Sequence, residues 1–142
     1  MRRLLEAIPD PELPMLDLGD LGLVRDVHVE DGAVEVSITP TFLGCPALDS
    51  MRRSIREALV GDGFDQVEVR TVYSPAWSVE WISPAGRAKL RSAGIAPPGS
   101  ARVCPHCSAE AIRVVSEFGP TPCQALSACR ACGEPFTSIR DL

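Results

Sequence analysis

Four cysteines fall in two pairs of identical spacing, Cys104 and Cys107 in "CPHC" and Cys129 and Cys132 in "CRACG", with residues 108–128 between them. Nothing else in the chain restricts its fold so far. Two residues between thiols let a tight turn bring both sulfurs to one side, and two such turns facing each other make a tetrahedron of thiolates suited to zinc. The segment that carries them is too short to bury a core of its own. Metal binding must then supply most of its folding free energy. The pattern predicts a four-cysteine zinc-ribbon module over residues 103–142, with Cys104, Cys107, Cys129 and Cys132 as ligands and zinc in a structural role. Iron, or an iron–sulfur cluster, uses the same four thiolates, and spacing does not choose among them. A redox pair of the thioredoxin kind opens a helix, whereas "CPHC" leads into the strand-like "IRVV". His106 lies inside the first pair and is poorly placed to join, because the cysteines flanking it already face the metal. Cys123 matches neither pair; it reads as a small buried hydrophobe or as a reactive or substitute ligand.

Composition bounds the rest. Apolar residues make up 45% of the 142 and charged residues 23%, which is enough to bury a core rather than stay disordered. A net charge of −5 argues against a partner held by its phosphate backbone, although Arg52, Arg53 and Arg56 gather locally, so no nucleic acid is expected. The opening "MRRLLEAIPDPELP" is interrupted by Glu6 and then by prolines, unlike a signal peptide, and no apolar run approaches a membrane span. The expectation is a soluble, cytoplasmic chain without membrane contact. In that reducing compartment C-x2-C pairs point to metal rather than disulfides.

Along the chain the hydrophobic period changes several times. A short helix is expected around "RRLLEAI", then an ordered loop rich in Pro, Gly and Asp. Val27 and Val29 alternate with Asp26 and His28, and Val34, Val36 and Ile38 with Glu35, Ser37 and Thr39. With Asp31-Gly32 between the runs, that is a hairpin. Leu48, Met51, Ile55 and Leu59 follow helical steps, "GDGF" supplies a helix stop, and "QVEVRTVY" alternates again as a third strand. A final helix should start at Pro84 with Ser83 as its N-cap and end at Gly94. These elements predict an α+β fold: a small mixed sheet with helices on one face, followed by the ribbon. Domain bounds of 1–96 and 103–142 follow, with the Pro/Gly/Ser-rich residues 97–102 as linker.

Cys45 stands alone in "TFLGCPALDSMRRSI". Gly44 permits a sharp turn and Pro46 suits a first helical position, which places Cys45 at the N-cap of the central helix. Amides and helix dipole there favour a thiolate, a nucleophile or metal ligand near neutral pH. The competing view is a residue chosen only for its size, although Ser or Thr would cap better. One thiolate does not hold iron or zinc. Either carboxylates join it, with Glu12, Asp17 and Asp20 as candidates, or a second copy of the chain contributes its own thiolate in a homodimer. Both routes stay open. For each acid the competing role is that of a turn-forming or capping residue.

No phosphate-binding glycine loop, histidine-rich metal site or Ser/His/Asp set is present in the sequence, so turnover of a small molecule is not expected. "DPELP", "DLGLV", the hairpin, "TFLGCP" and "SPAWSVEWIS" resemble, in order, the small iron–sulfur assembly domain of bacterial cluster-maturation factors and eukaryotic cytosolic targeting proteins. With "AGRAKLRSAGIAPP" and the cysteine-rich tail, nearly the whole chain is similar to the D subunits associated with phenylacetyl-CoA epoxidase. The resemblance implies an accessory or maturation role in aerobic phenylacetate degradation: assembling or delivering a transient iron–sulfur cluster for that system's oxygenase and reductase components, the reductase being the expected client. It implies that Cys45 is the reactive cysteine of a T-x-x-G-C-P motif, with Glu12 and Asp20 in the "DPE" and "DLG" motifs. It places Cys123 among the cysteines of the tail. Glu80 stands where that family usually has aspartate. A purely structural or docking subunit of the oxygenase is the alternative.

Overall fold

The alternating valines form the predicted hairpin in the computed structural model, which describes residues 1–98 and 103–140. Strands β1 (Val24–Glu30) and β2 (Ala33–Ile38) pair antiparallel, with Val27 opposite Val36 and Val29 opposite Val34. Asp31 and Gly32 both take positive φ, 49° and 82°, the geometry of the tight turns that match strand twist. Helix α2 (Leu48–Gly61) buries Met51, Ile55 and Leu59, one per turn. It returns the chain to β3 (Gln66–Thr71), which lies parallel to β2 with Val67 beside Val34 and Val69 beside Val36. The three-stranded sheet is therefore mixed, in the order β1-β2-β3. Its inward row, Val34, Val36 and Ile38, is buried. Helix α2 packs on β3, and α1 (Arg2–Glu6) contacts α2 and β1. The outward row carries charge: Arg70 reaches Glu35 at 3.0 Å and Glu68 at 2.9 Å, exposed pairs that add little stability.

The segment before β1 is irregular yet well packed. Leu13, Leu16, Leu18, Leu21 and Leu23 are all buried, and its amides are satisfied locally, as where Leu18 donates to the Ile8 carbonyl and Gly19 to that of Glu6. Asp10 organises the first turn by accepting hydrogen bonds from the Glu12 and Leu13 amides, 2.9 and 2.8 Å. Burial raises the Asp10 carboxyl above its ordinary 3.8, outweighing those two amides. The folded chain thus holds this proton more tightly than the unfolded one, and stability falls as pH rises from 3.8 through the raised value. Asp10→Asn, which keeps an acceptor oxygen for both amides, should flatten that slope in urea titrations between pH 3 and 7. Asp10→Ala should instead lose about 1–3 kcal/mol by orphaning the amides.

Two compact units emerge, Met1–Ser83 and Pro84–Leu142. The predicted linker, 97–102, lies partly outside the described residues. Helix α3 (Pro84–Ser92), expected in the first domain, groups with the second unit, where it contacts β4 (Ile95–Ala96) and where Arg87 donates to the Pro98 carbonyl at 3.0 Å. The helix starts at Pro84 as predicted. In this unit β5 (Ile112–Ser116), β6 (Gln124–Cys129) and β7 (Pro135–Ile139) join β4 in a sheet of order β4-β7-β6-β5. Strand β6 runs through the middle with small residues, and Ala125, Ser127, Ala128 and Cys129 are buried. The cluster at the knuckles is small: Ala96, Cys104, Cys129 and Phe136, with Ala109 and Ile112 against them. Among the described residues no helix is long and apolar enough to cross a membrane.

Candidate functional site

Two backbone turns of the same design face each other in the second unit. Ser108 donates its amide to the Cys104 carbonyl and Gly133 to that of Cys129, each at 2.9 Å. The residue after the second cysteine of each pair takes a positive φ, 62° at Ser108 and 80° at Gly133. Each first cysteine's sulfur accepts an amide two residues on, from His106 to Cys104 and from Ala131 to Cys129, both at 3.4 Å. The two knuckles thus repeat one conformation, and only one of them has the glycine that this conformation favours. Ser108→Gly is expected to leave the fold unchanged and to raise stability by about 0.5–1 kcal/mol in thermal or urea unfolding, since a serine in the left-handed region carries strain that glycine lacks.

The sulfurs of Cys104, Cys107, Cys129 and Cys132 converge, all within 4.8 Å of one another. Cys104 and Cys132 approach to 3.7 Å and Cys107 and Cys129 to 3.6 Å. Four thiolates about 2.3 Å from a central zinc ion stand about 3.8 Å apart in a tetrahedron, so the donor set and its dimensions fit that ion. Electrostatics point the same way. Amides of Cys132 and Ala131, aided by neighbouring thiols, bring the Cys129 thiol down to about 7 despite its burial. At Cys132 the Glu134 amide favours the thiolate, but burial and the three adjacent thiols prevail and push it up to about 12. Cys107 is likewise raised, against the pull of the Ala109 amide, by burial and by Cys129 and Cys104. One sulfur ionises readily while others resist, which is what four crowded thiols do until a cation neutralises them. Cys104 and Cys129 are buried; Cys107 and Cys132 are exposed. His106 stays outside the tetrad, its ring edge-on to Phe136 at 6.4 Å. Cys123 is also outside; it is buried, its sulfur 3.1 Å from the Thr121 hydroxyl.

Cys45 lies in the first unit, half-buried, in the connection from β2 to α2. The expected N-cap placement is corrected by two positions. Ala47 is the cap residue and makes no side-chain cap bond, while the Cys45 carbonyl accepts the Leu48 amide at 3.3 Å. Pro46 and Ala47 form a turn that leads into the helix, and this preliminary turn shifts the first helical residue to Leu48. Gly44 takes φ +79° with open space around it, so the turn demands glycine for its backbone and not for packing. Neighbouring Leu43 is 76% exposed.

The acids expected beside Cys45 lie in the loop before β1. Asp20 is buried; one carboxylate oxygen accepts the Ser83 hydroxyl at 3.0 Å and the other the Asp17 amide at 3.3 Å. Asp17 reciprocates by accepting the Asp20 amide at 2.8 Å. Glu12 is half-buried, and burial together with the negative Asp10 raises its carboxyl. Among the described residues, the four tail cysteines are the only set of three or more potential ligands gathered within reach of one ion, so Cys45, Glu12 and Asp20 do not form one. Sequence reasoning missed the packing that holds this region. The Trp77 indole donates to the Leu21 carbonyl at 2.7 Å, and the Arg25 guanidinium sits 3.8 Å over the Trp81 ring. The paired tryptophans of "SPAWSVEW" were the available signal, since an indole buried in so small a unit needs a partner.

Residues 1–71 match the family described as "Iron-sulfur cluster assembly protein", and residues 95–140 match the "PaaD zinc beta ribbon domain". The chain is 41% identical to the putative D subunit of 1,2-phenylacetyl-CoA epoxidase of Escherichia coli K12, covering 94% of this chain and 86% of that protein. It is 36% identical to "Fe-S protein maturation auxiliary factor YitW" of Bacillus subtilis, over 56% of this chain and 78% of that one. Among solved structures, a protein of Bacillus anthracis described as a domain of unknown function, DUF59, is 32% identical with a TM-score of 0.58, over 62% of this chain and 85% of that one. A conserved hypothetical protein of Thermotoga maritima is 34% identical with a TM-score of 0.52, over 62% and 87%. By the match to its first half and the likeness over nearly its whole length, this chain belongs to the iron–sulfur cluster assembly protein family, in the branch that carries a PaaD-type zinc β-ribbon.

Proposed function

We propose that this chain is a cytoplasmic accessory protein of a phenylacetyl-CoA epoxidase system that helps to assemble an iron–sulfur cluster or deliver it to the reductase component. It has no turnover chemistry of its own. The observation that carries this reading is the setting of Cys45: a thiol outside any disulfide, half-exposed, on a turn shaped by a left-handed glycine at the entrance to α2. A sulfur so placed can take up and release a metal cargo, whereas a sulfur sealed in a core cannot. Two relatives named as maturation auxiliary factors add support. Since no set of three potential ligands that includes Cys45 gathers among the described residues, cargo would be held between two partners. A second copy of this chain or the client supplies the other ligands. Asp20 then serves to position the loop, its oxygens occupied by Ser83 and Asp17. Glu12, whose carboxyl accepts no hydrogen bond among the described residues, is the acid left to meet the cargo. The tail tetrad holds zinc and ties its two knuckles together.

Cys45→Ser tests the reading. In cells lacking the wild-type chain, the variant should fail to restore cluster content to the reductase, measured by iron and sulfide per purified reductase, while its own zinc content stays at about one per chain. Full restoration would defeat the assembly role. It would leave the alternative, a docking subunit, which the exposure of Val114 (57%) and Phe118 (76%) on the ribbon favours.

A further inference from the structure

The four tail cysteines are not equivalent, and their differences pair them. Two close sulfur–sulfur contacts each join an exposed cysteine to a buried one across the knuckles: Cys132 with Cys104 at 3.7 Å, and Cys107 with Cys129 at 3.6 Å. The buried sulfurs also accept hydrogen bonds from the His106 and Ala131 amides. We propose that the tetrad is a redox modification site, at which a peroxide converts the four thiolates into two inter-knuckle disulfides, Cys104–Cys132 and Cys107–Cys129, and expels the metal.

The chemistry follows from exposure and distance. The exposed thiolate of Cys107 or Cys132 attacks one peroxide oxygen and becomes a sulfenic acid, with the other oxygen leaving as hydroxide. The buried partner, already within 3.7 Å, displaces hydroxide from that sulfur and closes the disulfide. Each bridge takes two electrons from its sulfur pair and reduces one hydrogen peroxide, so two peroxides oxidise the tetrad and yield four hydroxides. Once its thiolate ligands are consumed, zinc leaves as the hydrated ion. Bridges of this connectivity do what the metal does: they join the first knuckle to the second. Bridges within each C-x2-C pair would close two small loops and leave the knuckles untied.

This inference rests on the zinc reading above, and one experiment separates the two. The full-length chain is assayed for zinc, treated with increasing hydrogen peroxide beside a chromogenic chelator, and digested with trypsin without reduction. Cleavage after Arg102, Arg113 and Arg130 places Cys104 and Cys107 in one peptide, Cys123 and Cys129 in a second and Cys132 in a third. The expected result is release of about one zinc per chain, with peptide 103–113 disulfide-linked to both others, and recovery of zinc binding after a dithiol is added. Dimedone present during oxidation should label Cys107 and Cys132. Recovery of 103–113 unattached, dimedone on Cys104 and Cys129, or sulfinic acid as the main product would each overturn the proposal. A chain without zinc before peroxide would defeat the zinc reading instead, while the peptide map would still decide whether the bridges join the two knuckles.

Discussion

Cys129→Ser is expected to empty the tail tetrad and unfold the ribbon while the sheet of β1, β2 and β3 stays folded. Cys104 and Cys129, two of the four buried residues in the cluster at the knuckles, belong to the cysteine tetrad itself, and the other two are Ala96 and Phe136. A structural zinc site contributes on the order of 10–16 kcal/mol. That exceeds any adjustment the remaining contacts could make. Hydrogen exchange should show the amides of β5, β6 and β7 losing protection, whereas β2 and α2, which rest on Val34, Val36, Ile55 and Leu59, keep theirs. Chelator under reducing conditions should have the same effect, and acid should assist it. The Cys129 thiol, depressed to about 7 from 9.0, contributes stabilisation that is full above 9.0 and lost as pH falls through about 7. A Cys129→Ser chain that lost zinc yet kept ribbon protection would show that the sheet, not the metal, holds the module.

Gly22→Ala should be the most damaging small substitution in the first unit. Gly22 has φ +67°, and a Cβ there would lie 2.9 Å from the Trp81 Cβ and 3.0 Å from the Trp81 carbonyl oxygen. Both are fixed points: the 3₁₀ turn Val79–Trp81 is closed by hydrogen bonds, and Arg25 stacks over the Trp81 ring. The backbone term is about 1–2 kcal/mol and the overpacking term about 1–3 kcal/mol, for a loss of about 2–5 kcal/mol against a typical total of about 5–15 kcal/mol. Gly44→Ala is the internal control, since φ is +79° but nothing lies within 4 Å of the added carbon. It should lose only the backbone term, about 1–2 kcal/mol. Equal losses for the two in urea unfolding would mean that the Trp81 contact relaxes.

Regular elements with one dominant period were legible before any coordinates. The hairpin, α2 with Met51, Ile55 and Leu59 inward, β3 and the start of α3 all follow from local pattern, because burial on one face imposes a period on the residues themselves. The loop of residues 9–23 was legible only as a loop. Its five buried leucines do not repeat at a helix or strand period, so nothing local reveals that they are core. The start of α2 was misplaced by two residues because proline fits equally well in the turn that precedes a helix and in its first turn. Asp20 looked like a ligand because it is an acid in a motif. Only the neighbouring Ser83, distant in sequence, reveals that its oxygens are already occupied.

From the residues alone came the tetrad and its chemistry: two C-x2-C turns bring four sulfurs together because the spacing is local and only one facing arrangement places them around an ion. The mixed sheet likewise needed no coordinates. What required the tertiary structure was everything set by neighbours far along the chain. This includes which sulfurs are buried and which exposed, the cross-knuckle approaches of 3.6 and 3.7 Å, and the grouping of α3 with the second unit. It also includes which residues gather into a ligand set among the described residues: the four tail cysteines, and not Cys45 with Glu12 and Asp20. Spacing constrains atoms a few bonds apart, whereas exposure and long-range contacts depend on how whole elements pack, and no short stretch of residues records that.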